Sequence, residues 1–448
     1  MEIFGTSGMR GKVEGKLNPL NVMKLALSFS RFLGNDGVVG LGRDARLGNE
    51  VIRYAVLSGL LSGGLDVIDF GLTSTPALLH ASKGLNGSVM LTGSHTPPEI
   101  HGILLFREDT AELFGEDESA IERIFSREEI RYSSLRELGR CSTGSPLEAY
   151  REDIRRVFPH IPKAKIVLDA GHSPSADIFK HIFPEVEFVI LNEEVDGRFP
   201  NRPPEPRSED LKRVGKIVRE EGAKFGLSLD GDGDRAIFLD ERGHIIQPDY
   251  LGVIFALEEA SKGMKKVACP VNTSSVVEVL KEKGVEIIYT RIGPPAMAKA
   301  IVEENAGFAF EESGKYIWPK NILYGDPAYA TALLLNLEGN LSELIKKLPK
   351  RYSYKKAVPC PEELKKKVLK EIIERTHKIN GEVLMIDGIR ITLQDGSWIL
   401  LRPSGTEPVF RCHIEAITHQ RLNELKELAL KILWESFKGA GIDWAVFY

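Results

Sequence analysis

The chain has 448 residues, with 59 Lys plus Arg against 64 Asp plus Glu and a formal charge of −5. At roughly 100–200 residues per domain this length predicts about three domains, with two to four in range. A composition of 42% hydrophobic and 27% charged residues excludes a disordered, collagen-like or coiled-coil chain. The mild, dispersed acidity leaves no basic footprint for nucleic acid or a membrane surface.

No apolar run approaches the ~18 residues of a spanning helix, and the opening residues lack the basic start and apolar core of a signal peptide. Cys141, Cys269, Cys360 and Cys412 lie far apart, without CxxC or zinc spacing. They read as buried, unpaired thiols of a reducing cytoplasm.

Taken in order, the chain alternates strand and helix signals. Asn18 reads as an N-cap and Pro19 as the first helical residue; Val22, Leu25, Ala26, Phe29, Phe32 and Leu33 follow at helical spacing until Gly34. Strands are predicted at 38–41, 65–70 and 87–92, with helices at 51–61 and 76–82. Residues 126–148 read as charged and irregular. Strands follow at 166–168, 188–191 and 225–229, with a helix at 208–221. Phe199-Pro200-Asn201-Arg202-Pro203-Pro204-Glu205-Pro206 must be loop or polyproline.

A third stretch is read as helices at 250–261, 274–283 and 296–304 with strands at 267–271, 285–290 and 308–310. Repeated βα units point to largely parallel sheets covered by helices. Past about residue 351 the rhythm changes. A helix at 361–376 precedes strands at 383–386, 389–393, 398–402 and 409–415, punctuated by Asp387-Gly388 and Asp395-Gly396 hairpin turns, and a last helix starts near 421. This is an α+β pattern, an antiparallel meander with helices.

Four loops carry chemistry. Asp230-Gly231-Asp232-Gly233-Asp234-Arg235 sets three carboxylates at alternate positions, which repel unless a cation or protons neutralise them. Hard oxygen donors at this density suit Mg²⁺ or Ca²⁺. An EF-hand is rejected because its sixth position, which requires Gly, holds Arg235. In Leu91-Thr92-Gly93-Ser94-His95-Thr96-Pro97-Pro98 a hydroxyl beside an imidazole, stiffened by two prolines, suggests a nucleophile. Arg402-Pro403-Ser404-Gly405-Thr406-Glu407-Pro408, with Arg411 behind it, reads as an anion nest with bidentate guanidinium donors. Glu311-Glu312-Ser313-Gly314-Lys315 offers hydroxyl-binding carboxylates and a cation. No Walker loop, GxGxxG, GxSxG or HExxH is present.

In this order the four loops resemble the α-D-phosphohexomutase family of phosphoglucomutases, phosphomannomutases and phosphoglucosamine mutases. Phe4-Gly5-Thr6-Ser7-Gly8-Met9-Arg10-Gly11, Gly42-Arg43-Asp44-Ala45-Arg46, Thr75-Pro76 and the segment 199–206 resemble it too. The resemblance implies three similar α/β domains (1–137, 138–241 and 242–350) and a C-terminal α+β domain (351–448) around a central cleft, each giving one loop. It implies that Ser94 carries the transferable phosphoryl group and, with Asp230, Asp232 and Asp234, holds one Mg²⁺. Arg235 and His95 would lie close by, and Arg10 would line the first-domain side. Glu311 and Ser313 would hold sugar hydroxyls, while Arg402, Ser404, Gly405 and Thr406, with Arg411 near, would grip the non-reacting phosphate.

The implied reaction moves a phosphoryl group between C1 and C6 of a hexose through a bisphosphate, which also primes unphosphorylated enzyme. The implied partner is a small phosphosugar, with neither nucleic acid nor membrane.

The match departs from the family at positions where that family carries an Asn, a Tyr-Asn-Gly and a Lys: here stand Thr96, Ile100-His101-Gly102 and Leu104. Lys315 replaces the final His of the sugar loop. Either His101 or Lys315 takes over acid–base work, or catalysis has weakened and another phosphosugar is handled. Lys315 is favoured as a charged substrate contact. A pentose mutase, a silent phosphosugar-binding paralogue and a phosphatase are the competing readings.

Overall fold

The computed structural model describes residues 3–5, 7–127, 132–377, 379–405 and 407–442. Four sheets follow one another along the chain. The first runs Met9–Gly11, His101–Arg107, Gly87–Leu91, Val38–Arg43, Asp66–Leu72, Cys141–Thr143. Its inner strands are parallel, and its first two are antiparallel to their neighbours. The second, in order Ala236–Leu239, Phe225–Leu229, Ala164–Asp169, Val186–Leu191, and the third, Glu286–Thr290, Lys266–Pro270, Phe308–Glu311, Lys315–Ile317, repeat that design. Each is a parallel group closed by one antiparallel strand. The fourth is wholly antiparallel, with Tyr352–Pro359 flanking the expected meander. The helices Lys365–Thr376 and His419–Gly439 pack with it. Three α/β units with mixed, largely parallel sheets and a fourth, antiparallel α+β unit are thus the architecture.

The antiparallel strands explain where the loops sit. Ser94, the three aspartates and Glu311–Lys315 each fall between the last parallel strand and the strand that hairpins back from it. Each of these loops thus joins two adjacent, hydrogen-bonded strands of its sheet.

Several elements differ from the expected pattern. The helix Pro19–Phe32 begins as predicted, with the Asn18 side chain accepting from the Asn21 N–H at 3.1 Å. The segment Ser275–Lys283 is a 3₁₀ helix, and the helix predicted at 361–376 is split into a short turn, Glu362–Leu364, and the helix Lys365–Thr376. The stretch read as irregular contains Cys141–Thr143, which pairs in parallel with the first sheet. That sheet therefore extends past the boundary expected at 137, and Cys141 is exposed, although the other three cysteines are buried. Among the described residues no helix is long and apolar enough to cross a membrane.

The second and third units share one apolar core, in which Phe255, Phe308, Tyr316, Trp318 and Tyr329 pack as an aromatic stack running to Phe158. Ile322 and Tyr324 of the third unit insert among Leu78, Met90, Leu104 and Phe106 of the first. At the junction of all three, His80 lies between Asp153 (2.7 Å) and Asp326 (2.9 Å), and Tyr150 donates to Asp326 at 2.5 Å. The first three units are therefore one packed body.

One buried carboxyl of the third unit makes stability depend on pH. Asp249 accepts from the Ser274 N–H at 2.8 Å, and its Oδ1 has no hydrogen-bond partner among the described residues. Burial, with Glu312 adding to it, pushes its pKa up to about 7. A carboxyl whose folded pKa is raised favours the fold while protonated, and that contribution is lost as pH climbs from about 4 through 7. Asp249→Asn should therefore stabilise the protein more at pH 8 than at pH 5, by a difference of about 2 kcal/mol. Urea titrations at the two pH values test this, and equal shifts would refute it.

Candidate active site

The serine loop stands on a buried arginine. Arg46, 2% exposed, donates to the carbonyls of Ser94 (2.7 Å), Thr96 (2.7 Å), Pro97 (2.5 Å) and Ile100 (2.9 Å), and its Nε reaches Asp44 at 3.1 Å. Asp44 in turn accepts from Thr92 Oγ1 (2.7 Å) and Asn49 Nδ2 (2.6 Å). A side chain at Gly93 would put its Cβ 2.5 Å from the Arg46 Cζ, so only glycine lets the loop close over the guanidinium. So drawn in, Ser94 adopts φ +50°, a left-handed conformation that costs an L-residue roughly 1 kcal/mol. It persists because the arginine, and the Thr92 hydroxyl on the Ser94 N–H (2.7 Å), over-determine the turn.

This conformation aims Ser94 across to the second unit. Its hydroxyl donates to Asp230 Oδ2 at 2.8 Å, and a Cβ on Gly231 would meet the Ser94 carbonyl at 2.7 Å. Asp230, Asp232 and Asp234 are all buried and offer oxygens within 4.8 Å of one another. Asp230 Oδ1 accepts from the N–H groups of Asp234 and Arg235, each at 3.2 Å. Thr75, from the first unit, donates its hydroxyl to Asp232 at 2.5 Å.

Burial, reinforced by Asp234, pushes Asp230 up to about 6, and burial with both neighbouring aspartates holds Asp232 well above the carboxylate range. Burial pushes Asp234 the same way, but Lys315 and Arg235 outweigh it and hold it below that range. Among the described residues, Oδ1 of Asp232 and Oδ1 of Asp234 lack hydrogen-bond partners. Unpartnered, buried, hard oxygen donors this close fit a small divalent cation.

Cations from this loop and from the third unit close the trio. Lys315 Nζ pairs with Asp234 Oδ2 at 2.8 Å and sits 3.8 Å from the Tyr324 ring centroid. Burial works against the charge of Arg235, yet Asp234, Glu311 and Asp230 hold its pKa above the ordinary value. His95 Nδ1 lies 3.4 Å from Ser94 Oγ; burial, then repulsion from Arg235 and Arg10, lower its pKa to about 3. Its imidazole is neutral at pH 7.

Beyond this cluster opens a cleft of about 550 Å³ that reaches all four units, lined by Arg10, His95, Arg235, Glu311, Arg402 and Arg411 among others. Arg10 donates to the Gly93 carbonyl at 3.0 Å, and Ser313 Oγ donates to Glu311 Oε1 at 2.5 Å. Opposite, Gly405 lines the cleft; Arg402 is held by Asp387, and Arg411 by Glu407 at 2.5 Å. These are guanidinium groups with exchangeable carboxylate partners, suited to capture a phosphate.

Family models for the phosphoglucomutase/phosphomannomutase alpha/beta/alpha domains I, II and III and C-terminal domain match residues 1–131, 148–243, 247–352 and 356–432. The chain belongs to the phosphoglucomutase/phosphomannomutase family. It is 36% identical over 440 residues to a Methanopyrus kandleri protein named "Probable phosphoglucosamine mutase", covering 95% of this chain and 96% of that one. It is 34% identical over 441 residues to a "Phosphopentomutase" of Thermococcus kodakarensis, covering 96% and 97%. A solved phosphoglucomutase/phosphomannomutase family protein from Burkholderia thailandensis superposes with a TM-score of 0.86 at 25% identity, covering 98% of each chain. The chain is accordingly an enzyme of the mutase class.

The structure gathers Ser94 and the three aspartates into one buried cluster beside His95 and Arg235, which line the cleft together with Arg10, Glu311, Ser313, Arg402, Gly405 and Arg411. It places three expected residues otherwise. His101 is buried behind the serine loop with Nδ1 on Asn49 Oδ1 (2.8 Å) and is absent from the cleft lining. Lys315 is buried against Asp234 and Tyr324, so it docks the sugar loop onto the aspartate loop instead of facing substrate. Ser404 is buried, its Oγ capping the turn by accepting from the Glu407 N–H at 3.3 Å. Thr406 lies outside the described residues.

Sequence reasoning missed the supports. The segment 42–46 stood out as a motif, but nothing in it announced four carbonyls on one guanidinium. Glu112, fully buried on Ser7 (2.7 Å) and Tyr324 (3.3 Å), left no signal at all. Arg46→Met should cost about 3–5 kcal/mol of stability, because Asp44 is left buried and unpaired. It should also release Ser94 from its turn. Unfolding titrations together with 2D NMR of the loop check both, and a loss under 1 kcal/mol would contradict the clamp.

Proposed function

We propose that the protein is a Mg²⁺-dependent phosphosugar mutase that moves a phosphoryl group between C1 and C6 of a hexose (glucose, mannose or glucosamine phosphate), with Ser94 as the phosphoryl carrier. The observation that carries this reading is the 2.8 Å contact between Ser94 Oγ and Asp230, across the boundary between two units, within a buried trio of carboxylates. The similarity to a protein named for phosphoglucosamine supports a hexose phosphate.

Asp230, Asp232 and Asp234, with the Ser94 oxygen, would hold one Mg²⁺, which when bound neutralises phosphoryl charge and polarises the P–O bond. The chain's own residues do the rest. Arg402, Arg411 and the Gly405 backbone bind the non-reacting phosphate, and Glu311 with Ser313 hold sugar hydroxyls. The free hydroxyl at the far end of the sugar then faces Ser94. The phosphoryl group passes from Ser94 Oγ to that hydroxyl, the P–O bond to serine breaking as the P–O bond to sugar forms and the hydroxyl proton ending on Ser94 Oγ, giving a sugar bisphosphate and free serine.

After the bisphosphate turns end for end, its other phosphoryl group returns to Ser94, and the isomer leaves. A bisphosphate supplied from outside would load an unphosphorylated Ser94 by the same step. Arg235 and Lys315 keep positive charge beside the transferring group. Neutral His95 adds none, and its lowered pKa makes it a weak base.

A pentose substrate, with transfer between C1 and C5, is the second reading. The similarity to the Thermococcus kodakarensis phosphopentomutase favours it, as does Lys315, buried where it closes the sugar loop down on Asp234.

A panel of glucose, mannose, glucosamine and ribose 1-phosphates with Mg²⁺, followed by phosphorus NMR, should show one isomer forming without free phosphate. Ser94→Ala should lower turnover about a thousandfold or more, and intact mass should show one phosphoryl group on the wild type only. Full activity of Ser94→Ala would end the proposal. Thr75→Val, which removes the hydroxyl that orients Asp232, should raise the Mg²⁺ concentration needed for half-maximal turnover about 10–100-fold. An unchanged Mg²⁺ requirement would place the ion elsewhere.

A further inference from the structure

Beneath the anion loop lies a lysine that no step of the phosphoryl transfer uses. Lys365 opens the helix Lys365–Thr376 and is 4% exposed. Lysine is almost never buried this far unless its ammonium is fully paired. Here Nζ donates to the carbonyls of Ser404 (2.6 Å) and Glu407 (2.7 Å) and to Glu362 Oε2 (2.5 Å), which engages all three of its donors. A positive charge at a helix N-terminus opposes the helix dipole. The side chain is therefore placed there by what it does for the loop, since it does nothing favourable for the helix.

The loop's shape follows from this contact. The Pro408 carbonyl accepts from the Cys360 N–H at 2.8 Å, on the same supporting segment, so the carbonyls of Ser404, Glu407 and Pro408 are all engaged by residues 360–365. In a planar trans peptide the N–H of the next residue points opposite to the carbonyl. Drawing the Ser404 carbonyl onto the ammonium thus turns the Gly405 N–H the other way. Gly405 lines the cleft, as do Arg402 and Arg411.

We propose that Lys365 is the positioning residue of the phosphate-binding loop. Its ammonium draws the carbonyls of Ser404 and Glu407 away from the cleft and presents the Gly405 N–H to the substrate's non-reacting phosphate. The inference rests on reading the loop 402–411 as the phosphate site.

The test compares wild type, Lys365→Met and Lys365→Arg by calorimetric titration with inorganic phosphate and by steady-state kinetics on whichever sugar phosphate the wild type turns over. Losing two charge-assisted hydrogen bonds under the loop should weaken phosphate affinity and raise KM about tenfold or more in Lys365→Met. Its kcat should stay within about threefold, and Lys365→Arg should recover most of the affinity. A Lys365→Met protein with lowered thermal stability but wild-type KM and phosphate affinity overturns the proposal, and so does one unchanged in every respect. If Lys365→Met does not fold, Lys365→Gln is read in the same way. A wild type that binds phosphate but turns over no phosphosugar would instead refute the mutase reading, and the phosphate titration would still decide the role of Lys365.

Discussion

Like charges at Asp230, Asp232 and Asp234, held within 4.8 Å of one another and out of water, repel with an energy that no surface loop has to carry. The protein meets that repulsion with cations brought from elsewhere. Arg235 comes from the same loop, Lys315 from the third unit, and the hydroxyls of Ser94 and Thr75 from the first. The contacts of Lys315, Thr75 and Ser94 cross from one unit to another, so the charge problem also helps to join the units. Part of the neutralisation of this trio therefore comes from units other than the one that carries it. The shared apolar cores of the first three units pack those units together.

The serine loop obeys the same logic with the signs reversed. A loop drawn into a strained turn needs its carbonyls satisfied, and a single buried guanidinium satisfies four of them while Asp44 balances its charge. Phe199, from the segment rich in proline, lies 5.4 Å from that guanidinium, and Gly197 approaches so closely that a Cβ there would meet the Ala45 carbonyl at 2.0 Å. The segment that sequence composition marks as irregular is therefore a wall of the serine loop, and its lack of regular structure lets it follow the contour of another unit.

How much of this could be read from the residues depends on whether the information is local. The four loops were legible because alternate aspartates, Ser-His beside two prolines and Arg-Pro-Ser-Gly carry their chemistry in consecutive residues. The parallel strands and most long helices were legible by their period. The antiparallel strands that close the first three sheets were not, because Ala236–Leu239 and Lys315–Ile317 are too short to show alternation, and fully buried strands such as His101–Arg107 show none. Leu104 looked like a missing catalytic group; in the structure it is a core residue beside Phe106 and Tyr324. Lys315 looked like a substrate contact, yet its partners, Asp234 and Tyr324, are an aspartate from another unit and a ring nine positions on. Partners chosen by the fold leave no trace at fixed spacing.

The fourth unit is attached differently, and that difference bears on the cleft. Its own core is separate, and it meets the third unit through a small cluster of Val271, Trp398 and Leu400. Arg390, buried between the rings of Trp398 (4.3 Å) and Tyr289 (4.8 Å), donates to the Val271 carbonyl at 2.6 Å. Glu415 accepts from the Ser275 N–H and hydroxyl and from the Trp398 indole. These are directional, charge-assisted contacts on a narrow footprint, where the other three units are joined by broad apolar packing. The distance from the anion loop to Ser94 is therefore set by a few hydrogen bonds on one side and by a continuous core on the other. In the proposed reaction, a sugar phosphate that presents either end to Ser94 would be held at its far end by the unit with this narrower attachment.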